Sequence, residues 1–350
     1  MAVTCFMSFL LAGSEVAPHS PGSGRAFSFA HRVFRSAARL RYDLALFVAL
    51  GISLAPAAAA PFAYVPNEGS GSISIIDTAT DRVVGEIPTG GRPRGIAAGA
   101  DVIYVSDQPS SALKAIDIKT RSVVGQVQLG KSPEGVYLSR DGRTIAVAVE
   151  ESNSVALIDV RTFTPVANIP VKGKNPEHAV FSPDGAWLYV SAEDADTVEV
   201  IDVAKRAQVS EIKVGHRPRG IAFTPDSRVA YIACEVASLV YAVDVAKRSV
   251  IATIKTGEFS NGVAMHPDGK RVYISNGRSQ SVSVIDTTTN QVLATVAVGQ
   301  RPWNMALTPD GRKLYVANGR SSTVSVIDTA TDRKVEDIAV GALPWGVAIR

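Results

Sequence analysis

From residue 62 onward the chain alternates apolar and polar positions in short runs, and no stretch of it sustains a helical period. Thr323-Val324-Ser325-Val326-Ile327-Asp328 is such a run, and β-branched residues in this alternation predict half-buried strands. Between the runs stand turn sequences such as Ser182-Pro183-Asp184-Gly185, which suit tight reversals. Aligned on the aspartate that closes each third run (Asp77, Asp117, Asp159, Asp202, Asp244, Asp286 and Asp328), the pattern repeats at intervals of 40, 42, 43, 42, 42 and 42 residues. A fixed period of this size marks a propeller or a solenoid.

Each unit reads as four strands. The first is apolar and follows a Pro-x-Gly opening, as in Pro218-Arg219-Gly220-Ile221-Ala222-Phe223, and the second is typified by Leu314-Tyr315-Val316-Ala317-Asn318. The third carries the aligned aspartate, and the fourth, such as Val292-Leu293-Ala294-Thr295-Val296-Ala297-Val298, ends at a glycine. The repeat begins at a second strand, Phe62-Ala63-Tyr64-Val65, and stops after a first strand, Trp345-Gly346-Val347-Ala348-Ile349. One blade is therefore shared between the two ends, which closes a ring and removes open sheet edges. The expectation is an all-β fold, a single seven-bladed β-propeller over residues 60–350, with the N-terminal strands pairing with the C-terminal one.

Composition narrows the field of functions. The 350 residues are 46% hydrophobic and 20% charged with two cysteines, which excludes a disordered chain and a disulfide scaffold. The formal charge of +3 sits in residues 1–59, where five arginines face two acids; the remainder holds 31 basic and 31 acidic residues. A neutral body argues against capture of nucleic acid or an anionic membrane by uniform charge. The sequence contains no CxxCH, CxxC or HExxH motif.

Residues 1–59 read as a leader. Arg35, Arg39 and Arg41 precede the apolar run Leu44–Ala55, followed by Pro56 and the alanines Ala57 to Ala60. A basic region, an apolar stretch of about a dozen residues and a small-residue site make a secretory signal peptide, cut after Ala59. The run falls short of the roughly 20 residues of a spanning helix. Residues 1–30 are long for a basic region, so the N-terminus is extended or the true start lies further along, at Val33 or Leu40. The mature protein is expected to be periplasmic or secreted, free of the membrane, monomeric, and left with one thiol, Cys234.

The second strands Tyr104-Val105-Ser106-Asp107, Tyr273-Ile274-Ser275-Asn276 and Tyr315-Val316-Ala317-Asn318, with the Ser/Thr-Pro-Asp-Gly turns and Val-Ile-Asp-Thr third strands, resemble the YVTN-family propeller repeat. Residues 62–350 carry the likeness, which departs from the motif at Ile145-Ala146-Val147-Ala148 and Tyr231-Ile232-Ala233-Cys234. In length, secretion and blade number the chain is similar to periplasmic propellers associated with PQQ-dependent alcohol catabolism. That resemblance implies an accessory protein of a quinoprotein system and no established catalytic residues. PQQ enters by resemblance alone, and no cofactor is predicted from the residues themselves.

Internal repeats supply their own control. Residues common to every unit, such as the third-strand aspartates and the turn aspartates Asp141, Asp184, Asp226, Asp268 and Asp310, read as turn caps. Residues that differ at one equivalent position are candidates for function. First strands line the channel of such propellers, so the residue after each Pro-x opening belongs to a ring at the channel mouth: Arg94, Glu134, Glu177, Arg219, Asn261, Trp303 and Trp345. Glycine follows five of them, with His178 and Asn304 in the other two places. Loops between second and third strands belong to the same face and carry Glu150, Glu151, Glu193, Asp194, Asp196 and Glu235, then Arg278 and Arg320. An acidic sector facing a basic, aromatic one suits oriented docking of a protein partner, or a zwitterionic ligand, better than a polyanion.

The leading expectation is a binding or scaffold propeller that uses this face, with Arg94, Glu134, Glu177, His178, His216, Arg219, Asn261, Trp303, Asn304 and Trp345 as its contact residues. The alternative is an enzyme of the lactonase or lyase type with a metal at His178, His216 and Glu177, the residue types such a centre needs. A haem-binding propeller would have the same two histidines to offer as axial ligand. A cell-surface interaction module is the third reading.

Overall fold

The computed structural model describes residues 61–350, and the leader predicted over residues 1–59 lies outside them. Seven sheets of four antiparallel strands form the ring. The innermost strands are Pro93–Ala98, Pro133–Leu138, Pro176–Phe181, Pro218–Phe223, Ser260–Met265, Pro302–Leu307 and the short Ala348–Ile349. The last of these pairs with Phe62–Asn67 (Ala63 opposite Ile349, Tyr64 opposite Ala348), so the first blade is built from both ends of the described chain. Residues 345–347, read from sequence as strand, lie outside the ladder. In five other blades the ladder likewise breaks just after the opening residue, as between Pro93 and Ile96 or Pro302 and Met305.

Glycine accompanies the break in four of these blades, at Gly95, Gly135, Gly220 and Gly262, and Asn304 stands in its place in the seventh. A Cβ on Gly95 would stand 2.2 Å from the Glu134 carbonyl oxygen of the next blade, and one on Gly220 2.6 Å from that of Asn261. The inner strands approach too closely there for any side chain directed at the neighbour. Serines of the second strands tie the contact: Ser106 Oγ accepts the Gly95 N–H at 2.9 Å and donates to the Glu134 carbonyl at 2.7 Å. In the fourth blade, where His178 replaces glycine, the ladder resumes earlier, at His178 opposite Ser191.

Apolar residues of neighbouring blades pack face to face, as Tyr104, Leu113 and Ala115 do against Val136, Ile145 and Val147. The buried tyrosines also clip blade to blade: Tyr231 Oη donates to Asn290 Oδ1 at 2.8 Å, and Tyr315 Oη donates to Asp81 in the shared blade. The pairing of Ala146 with Leu157, equivalent to Tyr273 with Val284, places the tyrosine position of the third blade at Ala146. The divergent motif there is Ala146–Val149, one residue beyond its position in the sequence alignment. The repeated aspartates cap turns, Asp159 accepting the Thr162 N–H at 2.7 Å and Asp226 the Arg228 N–H at 3.1 Å.

Candidate functional site

The mouth of the channel is assembled from three positions of the repeat. The first is the residue after each opening proline or serine. The second directly follows each second strand: Glu68, Gln108, Glu150, Glu193, Glu235, Gly277 and Gly319. The third precedes the opening residue and supplies Arg92, Arg217 and Arg301. Together they enclose a hollow of about 120 Å³ lined by Glu68, Arg94, Glu177, Arg219, Asn261, Arg301, Trp303, Asn304 and Trp345.

Its charged side chains are paired. Arg94 Nη1 donates to both oxygens of Glu134 at 2.7 and 2.8 Å, and Nη2 reaches Glu68 at 3.2 Å. Arg219 lies among three buried carboxylates, 2.5 Å from Glu177, 3.0 Å from Glu235 and in contact with Glu193. Arg217 bonds Glu193 at 3.1 Å, while Arg301 bonds Glu235. The acidic sector expected in the third to fifth blades is thus largely neutralised from within.

Aromatic rings form the floor. Trp345 starts in the first blade and His178 in the fourth, on opposite sides of the axis, yet their ring centroids are 5.6 Å apart. Trp345 therefore spans the channel. Asn304 donates from its backbone N–H to the Trp345 carbonyl at 3.3 Å. Trp345 and Asn304 line both the mouth hollow and an axial cavity of about 170 Å³ beneath it, so they divide the two. Trp303 lies over Gly319, where a Cβ would stand 2.5 Å from its ring.

The histidines do not converge. His178 is buried, with Nδ1 2.8 Å from Tyr137 Oη, and burial pushes its pKa down to about 4. His216 stands in solvent with 62% of its side chain exposed, and its Nδ1 meets Asp196 at 2.8 Å. The metal set of His178, His216 and Glu177 is not assembled. The group brought within ligand distance among the described residues is Glu150, Glu177 and Glu193, all oxygens within 4.8 Å. Arg219 already engages two of these three carboxylates.

Of the ten contact residues read from sequence, Arg94, Glu177, Arg219, Asn261, Trp303, Asn304 and Trp345 line one hollow, whereas Glu134 and His178 are buried outside its lining and His216 stands in solvent. The sequence reading missed Glu68 and Arg301. Both were detectable, because Glu68 occupies the repeat position of Glu150, Glu193 and Glu235, and Arg301 precedes its proline as Arg92 and Arg217 do. Cys234 ends its second strand where Asn276 and Asn318 end theirs. Those asparagines donate to Ser283 and Ser325, both at 2.9 Å, whereas burial pushes the Cys234 thiol up to about 12.

Burial, with the neighbouring charge of Glu177, pushes Glu134 up to about 8, and the same two causes push Glu193 up to about 7. Glu177 is buried as well, but Arg219 and its other positive neighbours bring it net below the ordinary carboxylate range. A carboxyl raised on folding holds a proton that the unfolded chain has lost, so its contribution to stability is fully present below about 4.5 and lost by about 8. Urea midpoints measured from pH 5 to pH 8 are expected to fall for the native protein and to fall less steeply for Glu134→Gln.

A family profile described as "Lactonase, 7-bladed beta-propeller" matches residues 125–213 and 203–339, more than half of the chain. The chain belongs to this family. Membership in the lactonase propeller family agrees with the blade count and with the ring of four-stranded sheets. No curated protein sequence matches the chain. Among solved structures it is similar to hydrazine synthase of Kuenenia stuttgartiensis, with 23% identity and a TM-score of 0.69, covering 81% of this chain and 99% of that one. It is also similar to a functionally unknown protein from Desulfotomaculum acetoxidans, with 18% identity and a TM-score of 0.73, covering 82% and 98%. At these identities the two likenesses are of fold.

Proposed function

We propose that the channel mouth binds a small, ring-shaped, polyhydroxylated ligand of the sugar-lactone type. The observation that carries this reading is the hollow itself: two tryptophan faces, two side-chain amides, and guanidinium and carboxylate groups already fixed by one another. Apolar faces take up the ring, and convergent polar groups orient its hydroxyls. Because the charged groups are held before binding, little side-chain ordering is left to oppose association. The lactonase family match supports a ligand of this chemistry. The leader-like N-terminus and the repeat's resemblance to PQQ-associated propellers support a periplasmic setting in which the protein serves an alcohol-oxidation system.

Hydrolysis of such a lactone is the second reading, favoured by one observation. Glu177 lines the hollow and is held below the ordinary carboxylate range, so it stands ionised beside the ring and can orient a water toward it. Titration of the full-length protein with δ-gluconolactone and with glucose, followed by tryptophan fluorescence, tests both readings. Trp303→Ala is expected to weaken binding by about tenfold or more, as for a central aromatic contact. Absence of saturable binding, or an unaffected Trp303→Ala, overturns the proposal. Lactone opening that survives in Glu177→Gln removes the hydrolytic reading while leaving the binding one.

A further inference from the structure

On the face away from the mouth, the turns that join first to second strands keep one pattern in four blades and lose it in the second and third. Ser182-Pro183-Asp184-Gly185, Thr224-Pro225-Asp226-Ser227, His266-Pro267-Asp268-Gly269 and Thr308-Pro309-Asp310-Gly311 share a proline and an aspartate. These turns also interlock: the Asp184 N–H donates to Ser227 Oγ at 3.0 Å, and His266 Nε2 donates to the Gly311 carbonyl at 3.1 Å. The second blade makes the connection through residues 99–101 alone, two residues fewer than the 139–143 of the third. The shortening leaves a hollow of about 560 Å³ between these two blades, whose lining includes Asp101, Tyr104, Leu138, Arg140, Val160 and Arg350.

Three residues depart from the repeat at this one place. The Asp101 carbonyl accepts the Ile118 N–H exactly as those of Arg143, Arg228, Lys270 and Arg312 accept theirs, so an acid stands where four blades carry a base. Arg140 replaces the proline of the four regular turns. Arg228 and Arg312 lie 3.7 Å from aspartates of their own turns, whereas Asp101 and Arg140 form no ion pair among the described residues. The third departure is Phe163, where the other six blades place Asp, Asn or Arg (Asp81 and Asn290 among them). Its φ of 51° is a left-handed conformation that a bulky side chain adopts only at a cost. Tyr231 and Tyr315 direct their hydroxyls to Asn290 and Asp81, but Phe163 gives Tyr104 only a ring, 5.8 Å away between centroids. The Tyr104 side chain is 4% exposed and its hydroxyl has no hydrogen-bond partner among the described residues. Tyr189 and Tyr273 also lack one, but their oxygens are sealed in the core, whereas Tyr104 lines the hollow.

We propose that this hollow binds a free α-amino acid with a large apolar side chain. Its rim carries exposed charges of both signs, one from each neighbouring blade: Arg140 offers a forked donor to a carboxylate, and Asp101 an acceptor to an ammonium group. The half-buried Leu138 and Val160, with the Tyr104 ring, form an apolar wall for the side chain, and the Tyr104 hydroxyl adds one polar contact. The hollow also has the volume of a small-molecule site, roughly 300–1,000 Å³. A simple acid would satisfy Arg140 and be repelled by Asp101, an amine would do the reverse, and a zwitterion answers both. The site shares no lining residue with the mouth hollow, so the two ligands bind independently.

Calorimetric titration of the full-length protein with L-phenylalanine, 3-phenylpropionate and phenethylamine tests the assignment. Saturable binding of L-phenylalanine is expected, with each analogue weaker by about tenfold or more, the effect of losing one charge-assisted hydrogen bond. Asp101→Arg/Arg140→Pro returns both positions to residues that other blades carry, so the urea midpoint should hold while L-phenylalanine affinity falls by about tenfold or more. Asp101→Asn, which leaves the turn untouched, should lose affinity in the same direction and keeps the test decisive if the double variant is unstable. Trp303→Ala is expected to bind L-phenylalanine as the native protein does. Heats that do not saturate, 3-phenylpropionate binding as tightly as L-phenylalanine, or native affinity in Asp101→Asn each overturn the inference. Loss of binding in Trp303→Ala does so too, since it would place the amino acid at the mouth.

Discussion

Deleting residues 345–350 is expected to unfold the propeller or to leave it aggregating. The deletion removes Trp345 and Val347, each only 8% exposed, and strips the first blade of its inner strand. Burying a large apolar side chain contributes about 1.5–3 kcal/mol, so these two alone account for roughly 3–6 kcal/mol. Total stability of a folded domain is only about 5–15 kcal/mol. The Phe62 N–H loses its bond to the Arg350 carbonyl, and the Pro66 carbonyl loses the N–H of Trp345. Phe62–Asn67 then becomes an open edge able to recruit other chains. Urea denaturation and light scattering check the result. Moving residues 341–350 ahead of Pro61 through a short flexible linker should restore the midpoint, because the paired Phe62 and Arg350 already lie side by side. A deletion protein that melts like the native one would show that closure is dispensable.

Replacing Arg219 by Met is the second large effect. It leaves Glu177, Glu193 and Glu235, all at most 5% exposed, with the half-exposed Arg217 beside Glu193 and Glu235, Arg301 on Glu235, and no direct ion-pair partner for Glu177 among the described residues. Removing one partner from a buried ionic group costs about 3–5 kcal/mol, since the charges left behind remain desolvated. The deficit has a sign in pH. Burial opposes ionisation of Glu177 and Glu235, but Arg219 and the other arginines hold both net below the ordinary carboxylate value. Their contribution is therefore present above that value and lost as pH falls through the folded one. The native and Arg219→Met urea midpoints should differ most near pH 7 and converge toward pH 4. A constant gap across that range would mean that the arginine acts through its packing instead.

The architecture was legible because it is written locally and seven times. A period near 42 residues, an alternation of two and a turn aspartate each specify a few neighbouring residues, and repetition averages out lapses such as Ala146 in the tyrosine position. The ring of mouth residues was legible for the same reason, since equivalent positions in a closed ring must share one face. What sequence could not show is how far each side chain reaches. Nothing in the chain says that Trp345 crosses the axis to His178, or that Arg219 draws three carboxylates from two adjacent blades onto one guanidinium. That the alternative metal set of His178, His216 and Glu177 does not come together has the same origin. His178 and His216 open neighbouring blades, but one lies in the strand and turns inward, whereas the other sits two residues ahead of its proline and bonds Asp196 in solvent.

The strand that closes the ring also gives the molecule a direction. Phe62–Asn67 runs from the meeting point of Phe62 and Arg350 to Glu68 at the rim of the mouth, so Arg350 lies at the far end of the barrel-like wall from the mouth hollow. A linker or affinity handle added after Arg350 departs from the underside. Coupled to a support by that handle, the protein would present its tryptophan floor and its arginine sector upward, open to whatever flows past.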